Sequence, residues 1–361
     1  MFNLFSKKTF GLDISDCSIE AVLLTGSFEN LRLLALGRRT LEQGIVENGE
    51  ILDKERLANK IRDLVKKPEF GRINTEKIIF SLPESKIFIH IFEIRSDSPK
   101  EEIKSQIEQT FPYQLAELYF DYKMIKGADS KKILLAVSPK KTVDDYLELF
   151  KACGLKPLAL GIKSESLARS LIDKEEEPVL LADIGAKTTN FSVFDKRELS
   201  LNVSVPVAGN QFTQSLAEKL NISFEKAENL KRKIGFNPRV KEGRVFLILQ
   251  REIQGIILEI GKIDNYFKNK TGKEIEKIIL AGGSAVLPGL SEYLGENLGK
   301  EVVVGDPWVK INIDILRQRE YFKKALELNP VMYATALGSG LWGLIKNQKE
   351  SGLNLLPKGR E

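Results

Sequence analysis

Asp183, Gly185, Thr188 and Thr189 sit within seven residues of one another, in the stretch Val179-Leu180-Leu181-Ala182-Asp183-Ile184-Gly185-Ala186-Lys187-Thr188-Thr189. A carboxylate at a strand end can hold Mg²⁺ directly or through water, and a turn of small residues offers N–H groups and threonine hydroxyls to a phosphate. Alone, Asp-x-Gly-x-x-Thr describes an ordinary glycine turn equally well. Two further stretches fit the same chemistry. Phe10-Gly11-Leu12-Asp13 again ends an apolar run in Asp, and the short turn Ser15-Asp16-Cys17-Ser18 and a second apolar run, Ile19 to Leu23, follow. Ile278-Ile279-Leu280-Ala281 opens onto Gly282-Gly283-Ser284, where missing Cβ atoms let a flat ring or a phosphate approach the backbone. Three such stretches in one chain are far more specific than any one of them. The first two predict a pair of similar half-domains, each presenting one hairpin.

The pattern resembles the actin/Hsp70/sugar-kinase ATPase superfamily and, within it, the PilM family of type IV pilus assembly proteins, relatives of the division protein FtsA. The resemblance runs through Phe111-Pro112 with Asp121-Tyr122, Ala152-Cys153-Gly154-Leu155-Lys156-Pro157 and Ser166-Leu167-Ala168-Arg169. It continues through Val205-Pro206-Val207-Ala208-Gly209-Asn210-Gln211-Phe212-Thr213 and Ser223-Phe224-Glu225-Lys226-Ala227-Glu228-Asn229-Leu230-Lys231. It implies an α/β fold of two actin-like (ribonuclease H-like) domains around a nucleotide cleft, with a small α/β subdomain inserted in the first. Residues 1–83 and 157–177 would form the first domain, closed by a helix at 330–347, and residues 84–156 the partner-binding insertion. Residues 178–329 would form the second domain, with a helical part near 222–272, and 348–361 a tail.

The same resemblance implies ATP with Mg²⁺ as cofactor. Asp13, Ser15, Asp16, Cys17 and Ser18 would make the first phosphate loop, and Asp183, Gly185, Ala186, Lys187, Thr188 and Thr189 the second. Asp13 and Asp183 would serve the metal, directly or through water. Gly209 would lie near the phosphates, and Gly282, Gly283 and Ser284 under the adenosine. Glu228 and Lys231 would flank the base or ribose, although i,i+3 spacing also suits a solvated ion pair. Two residues depart from the family pattern. Ser15 replaces a glycine where the turn favours positive φ, and Glu20 stands where relatives often carry lysine, or is simply a strand surface residue. Hydrolysis needs a group that orients water, and no residue stands out for it. At most a slow ATPase is expected, and the catalytic residue is unknown.

Leu353-Asn354-Leu355-Leu356-Pro357, followed by Lys358 and Arg360, resembles the short cytoplasmic N-terminal peptide of PilN, the membrane protein gripped by the family. Either it is a frayed tail, or it docks as an extended segment between the small subdomain and the first domain, in its own molecule or a neighbour's, and allows self-association. The expected partners are a PilN-like peptide and other pilus platform proteins. The expected location is the cytoplasm, at the inner face of the cytoplasmic membrane. Two other classes stay open. One is an FtsA-like filament former, which the Gly/Pro-interrupted segment after Lys346 disfavours as a membrane helix. The other is a small-molecule kinase or phosphatase, disfavoured by the lack of a substrate acid.

Composition narrows the field further. The 361 residues allow two domains with real cores. A net charge of +5 from 55 basic and 50 acidic residues, spread along the chain, excludes a nucleic-acid-type block and leaves only a mild attraction to anionic surfaces. Cys17 and Cys153 stand in apolar contexts, against a disulfide framework or a zinc site, and the single histidine, His90, falls in an alternating strand. Met1 to Lys8 lacks the apolar core of a signal peptide. Val331–Ile345 is uncharged but shorter than the roughly 20 residues that span a bilayer, so a buried helix and no transmembrane segment are expected.

The positioning elements follow from periodicity. Strands are expected near 9–14, 18–25 and 31–39, a helix at 54–66 capped by Asp53, and a strand at 78–83. The insertion reads as strand 86–94, a helix from Pro99 launched by Ser98, strands near 118–125 and 132–137, and a helix from Pro139 to Gly154, closed by strand 156–161. Hairpins at 179–205, helices after Gly209 and Ser223, one long helix carrying Val245, Leu249, Ile253, Ile256, Ile260, Ile263 and Phe267, strand 277–281, helix 284–298 and strand 301–304 complete the second half.

Overall fold

The computed structural model describes residues 8–28, 30–94, 99–125, 131–173, 177–240, 243–311, 329–345 and 352–357. The chain divides into two compact units, one of residues 1–173 and 307–361, the other of 174–306.

The first unit begins with three strands, β1 (Phe10–Ile14), β2 (Ser18–Ser27) and β3 (Asn30–Thr40), which pair antiparallel in succession. Two-residue strands β4 (Val46–Glu47) and β5 (Glu50–Ile51) form a separate small hairpin. Helix α1 (Lys54–Lys66) follows, its N-terminus capped as the sequence predicts, because Asp53 accepts from the Arg56 N–H at 2.9 Å. After β6 (Phe70–Gly71), β7 (Lys77–Leu82) runs parallel to β1. The insertion contributes β8 (Phe88–Glu93), α2 (Pro99–Thr110), β9 (Leu118–Met124), β10 (Lys132–Pro139) and α3 (Lys140–Ala152), and its strands make a three-stranded sheet in the order β8-β10-β9. Ser98, the expected cap of α2, lies outside the described residues. Strand β11 (Lys156–Ile162) then pairs parallel with β7, so the main sheet reads β11-β7-β1-β2-β3-β6 and β11 is its edge. Phe80 of β7 packs against Tyr146 and Phe150 of α3 at ring-centre distances of 5.0 Å. Helix α4 (Lys163–Leu171) ends this run.

The second unit repeats the plan. Strands β12 (Val179–Ile184), β13 (Thr189–Asp195) and β14 (Glu198–Val205) form an antiparallel meander. Four helices follow: α5 (Gly209–Leu220), α6 (Phe224–Ile234), α7 (Arg244–Glu252) and α8 (Gln254–Thr271). Next come β15 (Lys277–Ala281), α9 (Leu290–Leu298) and β16 (Glu301–Val304). The sheet order β14-β13-β12-β15-β16 matches β3-β2-β1-β7-β11 strand for strand, with the meander antiparallel and the last two strands parallel in both. The expected pair of half-domains is present.

Two expected helices differ. The long helix through 245–267 breaks at Ile253, and α8 restarts where Gly255 leaves just enough room for Val207, whose methyl groups would lie 3.3 Å from an added Cβ. Helix 284–298 begins only at Leu290. Residues 282–289 are turns, since Pro288 has no N–H to donate and Gly289 sits at φ +74°.

Pro307–Lys310 packs with the first unit, where the Lys310 ammonium donates to the Arg169 carbonyl at 2.8 Å. A short 3₁₀ turn at Pro330–Tyr333 leads into helix α10 (Ala334–Leu344), which lies on β1, β2 and β7 beside α4. Every residue from Ala334 to Trp342 is buried. The backbones approach so closely that a Cβ on Gly338 would fall 1.8 Å from the Ser166 carbonyl oxygen, and one on Gly11 1.8 Å from that of Ala336. The hydroxyls of Ser81, Ser166 and Ser339 meet at this junction, 2.7–3.2 Å apart. The uncharged segment is therefore the closing helix of the first unit, with Lys346 and Asn347 outside the described residues. Among the described residues, no helix is long and apolar enough to cross a membrane.

Candidate functional site

In the second unit, Asp183, the penultimate residue of β12, lies directly beside Ala281 at the end of β15, and both are buried. The turn after β12 closes through a hydrogen bond from the Gly185 N–H to the Thr188 carbonyl at 3.0 Å. Two further bonds, Gly209 N–H to Gly185 carbonyl at 3.0 Å and Asn210 N–H to Ala186 carbonyl at 2.7 Å, dock the start of α5 on that turn. Thr189 is turned inward and donates to the Val207 carbonyl at 2.6 Å, so its hydroxyl braces the turn. The glycines are required by crowding. A Cβ on Gly209 would meet Ser284 Oγ at 2.6 Å, and one on Gly282, which sits at φ +81°, would meet Asp183 Oδ1 at 2.4 Å. Ser284 is held in place by its N–H, which donates to the Ile184 carbonyl at 3.1 Å.

Lys231 and Glu228 are more than a solvated pair. The Lys231 side chain is buried, and its ammonium donates to the Gly209 carbonyl, to Thr213 Oγ1 and to Glu228, each at 2.7 Å. The Thr213 hydroxyl is also hydrogen-bonded to Glu228, at 2.5 Å. Burial works against ionisation of Glu228, but the bonds from Lys231 and Thr213 outweigh it and hold the carboxyl below its ordinary value. Asp183, Gly185, Ala186, Gly209, Lys231, Gly282 and Ser284 thus converge in one place, whereas Gly283 has open space beside its Cα.

The first unit's loop is built differently. The Ser15 hydroxyl accepts from the N–H groups of Cys17 at 3.3 Å and Ser18 at 3.0 Å, and the Ser15 N–H donates to the Ser18 carbonyl at 2.9 Å. Ser15 is not at positive φ, so its Cβ causes no backbone strain there. Its hydroxyl instead takes up the Cys17 and Ser18 N–H groups from within the loop. The Asp16 carboxylate accepts from the Asn48 and Gly49 N–H groups at 2.9 and 3.1 Å, which ties the loop to the β4–β5 turn.

Glu20 is not on a strand surface. It is buried directly opposite Asp13 across the β1–β2 pair, and its carboxylate accepts from Arg38 at 2.8 Å. Burial and the nearby Asp13 charge push its pKa up to about 7, against the pull of Arg38. The position equivalent to Glu20 in the second unit is Asn190, opposite Asp183.

A third assembly lies wholly within the first unit. Leu353-Asn354-Leu355-Leu356 runs along the exposed edge of β11, flanked by β9 and α4. The Leu355 N–H donates to the Leu160 carbonyl at 2.8 Å, and Asn354 Oδ1 accepts from the Leu160 N–H at 2.9 Å and from the Leu356 N–H at 3.1 Å. The side-chain amide thus stands in for a strand carbonyl on an otherwise open edge. The Leu353 N–H donates to Glu165 Oε2 at 3.0 Å and the Asn354 N–H to Asp121 Oδ2 at 2.9 Å. Leu353 and Leu355 are fully buried. Glu165 is fixed by Lys123 at 3.0 Å and Arg169 at 3.3 Å, and the Arg169 guanidinium lies over the Trp342 ring, 4.6 Å from its centre. A cavity of about 360 Å³ continues the groove between β9 and α2, lined by Lys100, Ile103, Lys104, Phe120, Leu356 and Pro357.

A family model described as type IV pilus assembly protein PilM matches residues 11–343. The chain belongs to the PilM family. Its fold is similar to that in the solved PilM–PilN type IV pilus biogenesis complex, with a TM-score of 0.80 and 21% identity, over 94% of this chain and 100% of that one. MreB 5 of Spiroplasma citri bound to AMPPNP shares the fold at a TM-score of 0.51 and 12% identity, over 90% of this chain and 98% of that one. Cell division protein FtsA of Staphylococcus epidermidis is 20% identical over 346 residues, 82% of this chain and 74% of that protein. These likenesses establish the actin-like fold for this PilM-family chain. Sequence reasoning singled out the tail and Asp121 but missed Glu165, Leu160 and Trp342. Glu165 carried one signal, its position four residues before Arg169 in a family motif, where helical spacing pairs the two charges.

Proposed function

We propose that this PilM-family protein is a scaffold of the type IV pilus, or of a related type II secretion-like assembly platform, which takes up the N-terminal peptide of a PilN-like membrane protein. It would work in the cytoplasm at the inner face of the membrane, among other platform proteins. The observation that carries this reading is the groove on β11, which is already shaped around an extended Leu-Asn-Leu-Leu segment and satisfies its backbone donors with Glu165, Asp121 and Leu160.

ATP with Mg²⁺ belongs to the same reading. The crowding around Gly209 and Gly282, with buried Asp183 and Lys231 alongside, fits a phosphate-and-metal site, and the second loop would carry most of the affinity. Asp183 would hold the metal, and the turn from Gly185 to Thr189 the phosphates. The Mg²⁺ would neutralise phosphate charge when bound. The first loop, around Asp13, contributes less because Ser15 has taken the Cys17 and Ser18 N–H groups. No side chain is proposed to orient water, so binding, with at most slow hydrolysis, is the proposed role of the nucleotide.

Calorimetric titration with a PilN N-terminal peptide tests the reading, with and without Mg–ATP, on the full chain and on a version ending at Asn347. Micromolar binding, strengthened by truncation, is expected, together with an ATP heat that Asp183→Asn abolishes. If neither version bound the peptide while ATP still bound, the FtsA-like filament reading would take its place, and co-pelleting with liposomes would then be positive.

A further inference from the structure

The tail sits in the groove in its own molecule, and the chain length explains how. Ile345 donates its N–H to the Trp342 carbonyl at 3.1 Å, and a Cβ on Gly352 would lie 3.2 Å from the Trp342 ring. Both ends of the connection are thus at one tryptophan. The seven residue steps between them reach roughly 24 Å at full extension, far more than closure needs, so the docked segment needs no second copy. The contact is also specific. Leu353 and Leu355 point inward as alternate residues of an extended chain, the amide of Asn354 bridges Leu160 and Leu356, and Gly352 clears Arg169, whose Nη2 would lie 2.2 Å from an added Cβ. Yet among the described residues the tail's hydrogen bonds to β11 all go to a single residue. Leu160 supplies both its carbonyl and its N–H, whereas a full added strand would make a continuous ladder.

We propose that residues 352–357 are a built-in, releasable ligand of this groove: they occupy it in cis, and a partner peptide with the same Leu-Asn-Leu chemistry binds only by displacing them. This rests on the reading of the groove as a peptide site. Asn354 is the residue that sets specificity, because only a side-chain amide or carboxylate of that length offers an oxygen to the Leu160 N–H, and a carboxylate would face Asp121 across the Asn354 N–H. A tethered ligand has an effective concentration in the millimolar range, so the tail acts as a threshold. A partner must be present at high local concentration, or must gain further contacts in the cavity lined by Lys100 and Lys104, before it wins.

The test uses a fluorescein-labelled peptide of residues 351–361 and fluorescence anisotropy. The chain ending at Asn347 is expected to bind it on the order of 100-fold more tightly than the full chain. Full-length Asn354→Ala should fall between them, and an unlabelled peptide carrying Asn354→Ala should compete on the order of 10-fold more weakly. Equal affinities for the full and shortened chains would overturn the proposal, as would no binding by a shortened chain that still unfolds cooperatively. If shortening destroys cooperative unfolding, full-length Asn354→Ala decides alone, and no gain over the wild type overturns the proposal. A full chain that runs as a larger species and is dispersed by the peptide would overturn the cis assignment. A shortened chain that binds its own tail peptide but not a PilN peptide would leave this inference standing and remove the proposed partner.

Discussion

Glu20 shows what a single buried carboxylate does to a strand pair. It faces Asp13, and Arg38 is its cationic partner at 2.8 Å, so burial and like charge together raise its pKa from 4.5 to about 7. Between these two values the folded chain holds a proton that the unfolded chain has released. The associated stability is therefore complete below pH 4.5 and is lost as the pH rises through about 7. The wild type should lose about 3 kcal/mol on this account, a fall of about 5–10 °C in Tm for a unit of this size. Glu20→Gln should lack this component. Melting curves from pH 5 to pH 8 check the point, and identical slopes for the two proteins would refute it. None of this was legible in the sequence, because a lone Glu in an alternating run has no mark that says which face it takes. The shape of the second turn was legible for the opposite reason: Asp183, Gly185 and Thr189 at fixed spacing each have a stereochemical task, packing beside Gly282, docking Gly209 and bracing the turn through Val207.

Helix α10 and the docked tail press on the same sheet in contrasting ways. The helix is fixed by backbone proximity, so Gly338→Ala, with its Cβ 1.8 Å from the Ser166 carbonyl, should cost about 3 kcal/mol and is read by urea denaturation. A loss under 1 kcal/mol would mean that the junction relaxes. The tail is held by a small margin. Its two buried leucines contribute about 4 kcal/mol and its hydrogen bonds, two of them to carboxylates, about 7 kcal/mol, against about 9 kcal/mol to order six residues. Periodicity gave α1, α3 and the meanders nearly to the residue, since capping and alternation are local signals. It failed at Ile253, where the apolar stripe runs unbroken through the helix ends, and at 282–289, where Pro288-Gly289 delays the helix. The edge of β11 was hidden as well, because Leu160 reads like any strand leucine until its N–H is seen to meet Asn354.

Each unit uses the same strand order, yet the units differ in the Asp-bearing hairpin: Asp183 faces Asn190, while Asp13 faces Glu20. The internal repeat could be read from two Asp-terminated runs 170 residues apart. How the first copy's loop bonds within itself could not, because it depends on where the Ser15 hydroxyl turns. The second unit is also continuous in sequence, from 174 to 306, whereas the first is assembled from two stretches. A fragment of residues 174–306 should therefore unfold cooperatively by itself. A chain ending at Asn329 should retain that transition and lose the first unit's, and calorimetric scans of both would show it. Two transitions in the shorter chain would contradict this.

The discontinuity also orders events in time. Strands β1, β2 and β7 emerge early in synthesis but wait for α10, which is made after the whole second unit. Domains fold as units while the chain grows, so here the later-made unit matures first and the earlier one is completed by a segment that follows both. The groove on β11 exists only from that moment, and its own tail, made later still, is the first peptide to reach it.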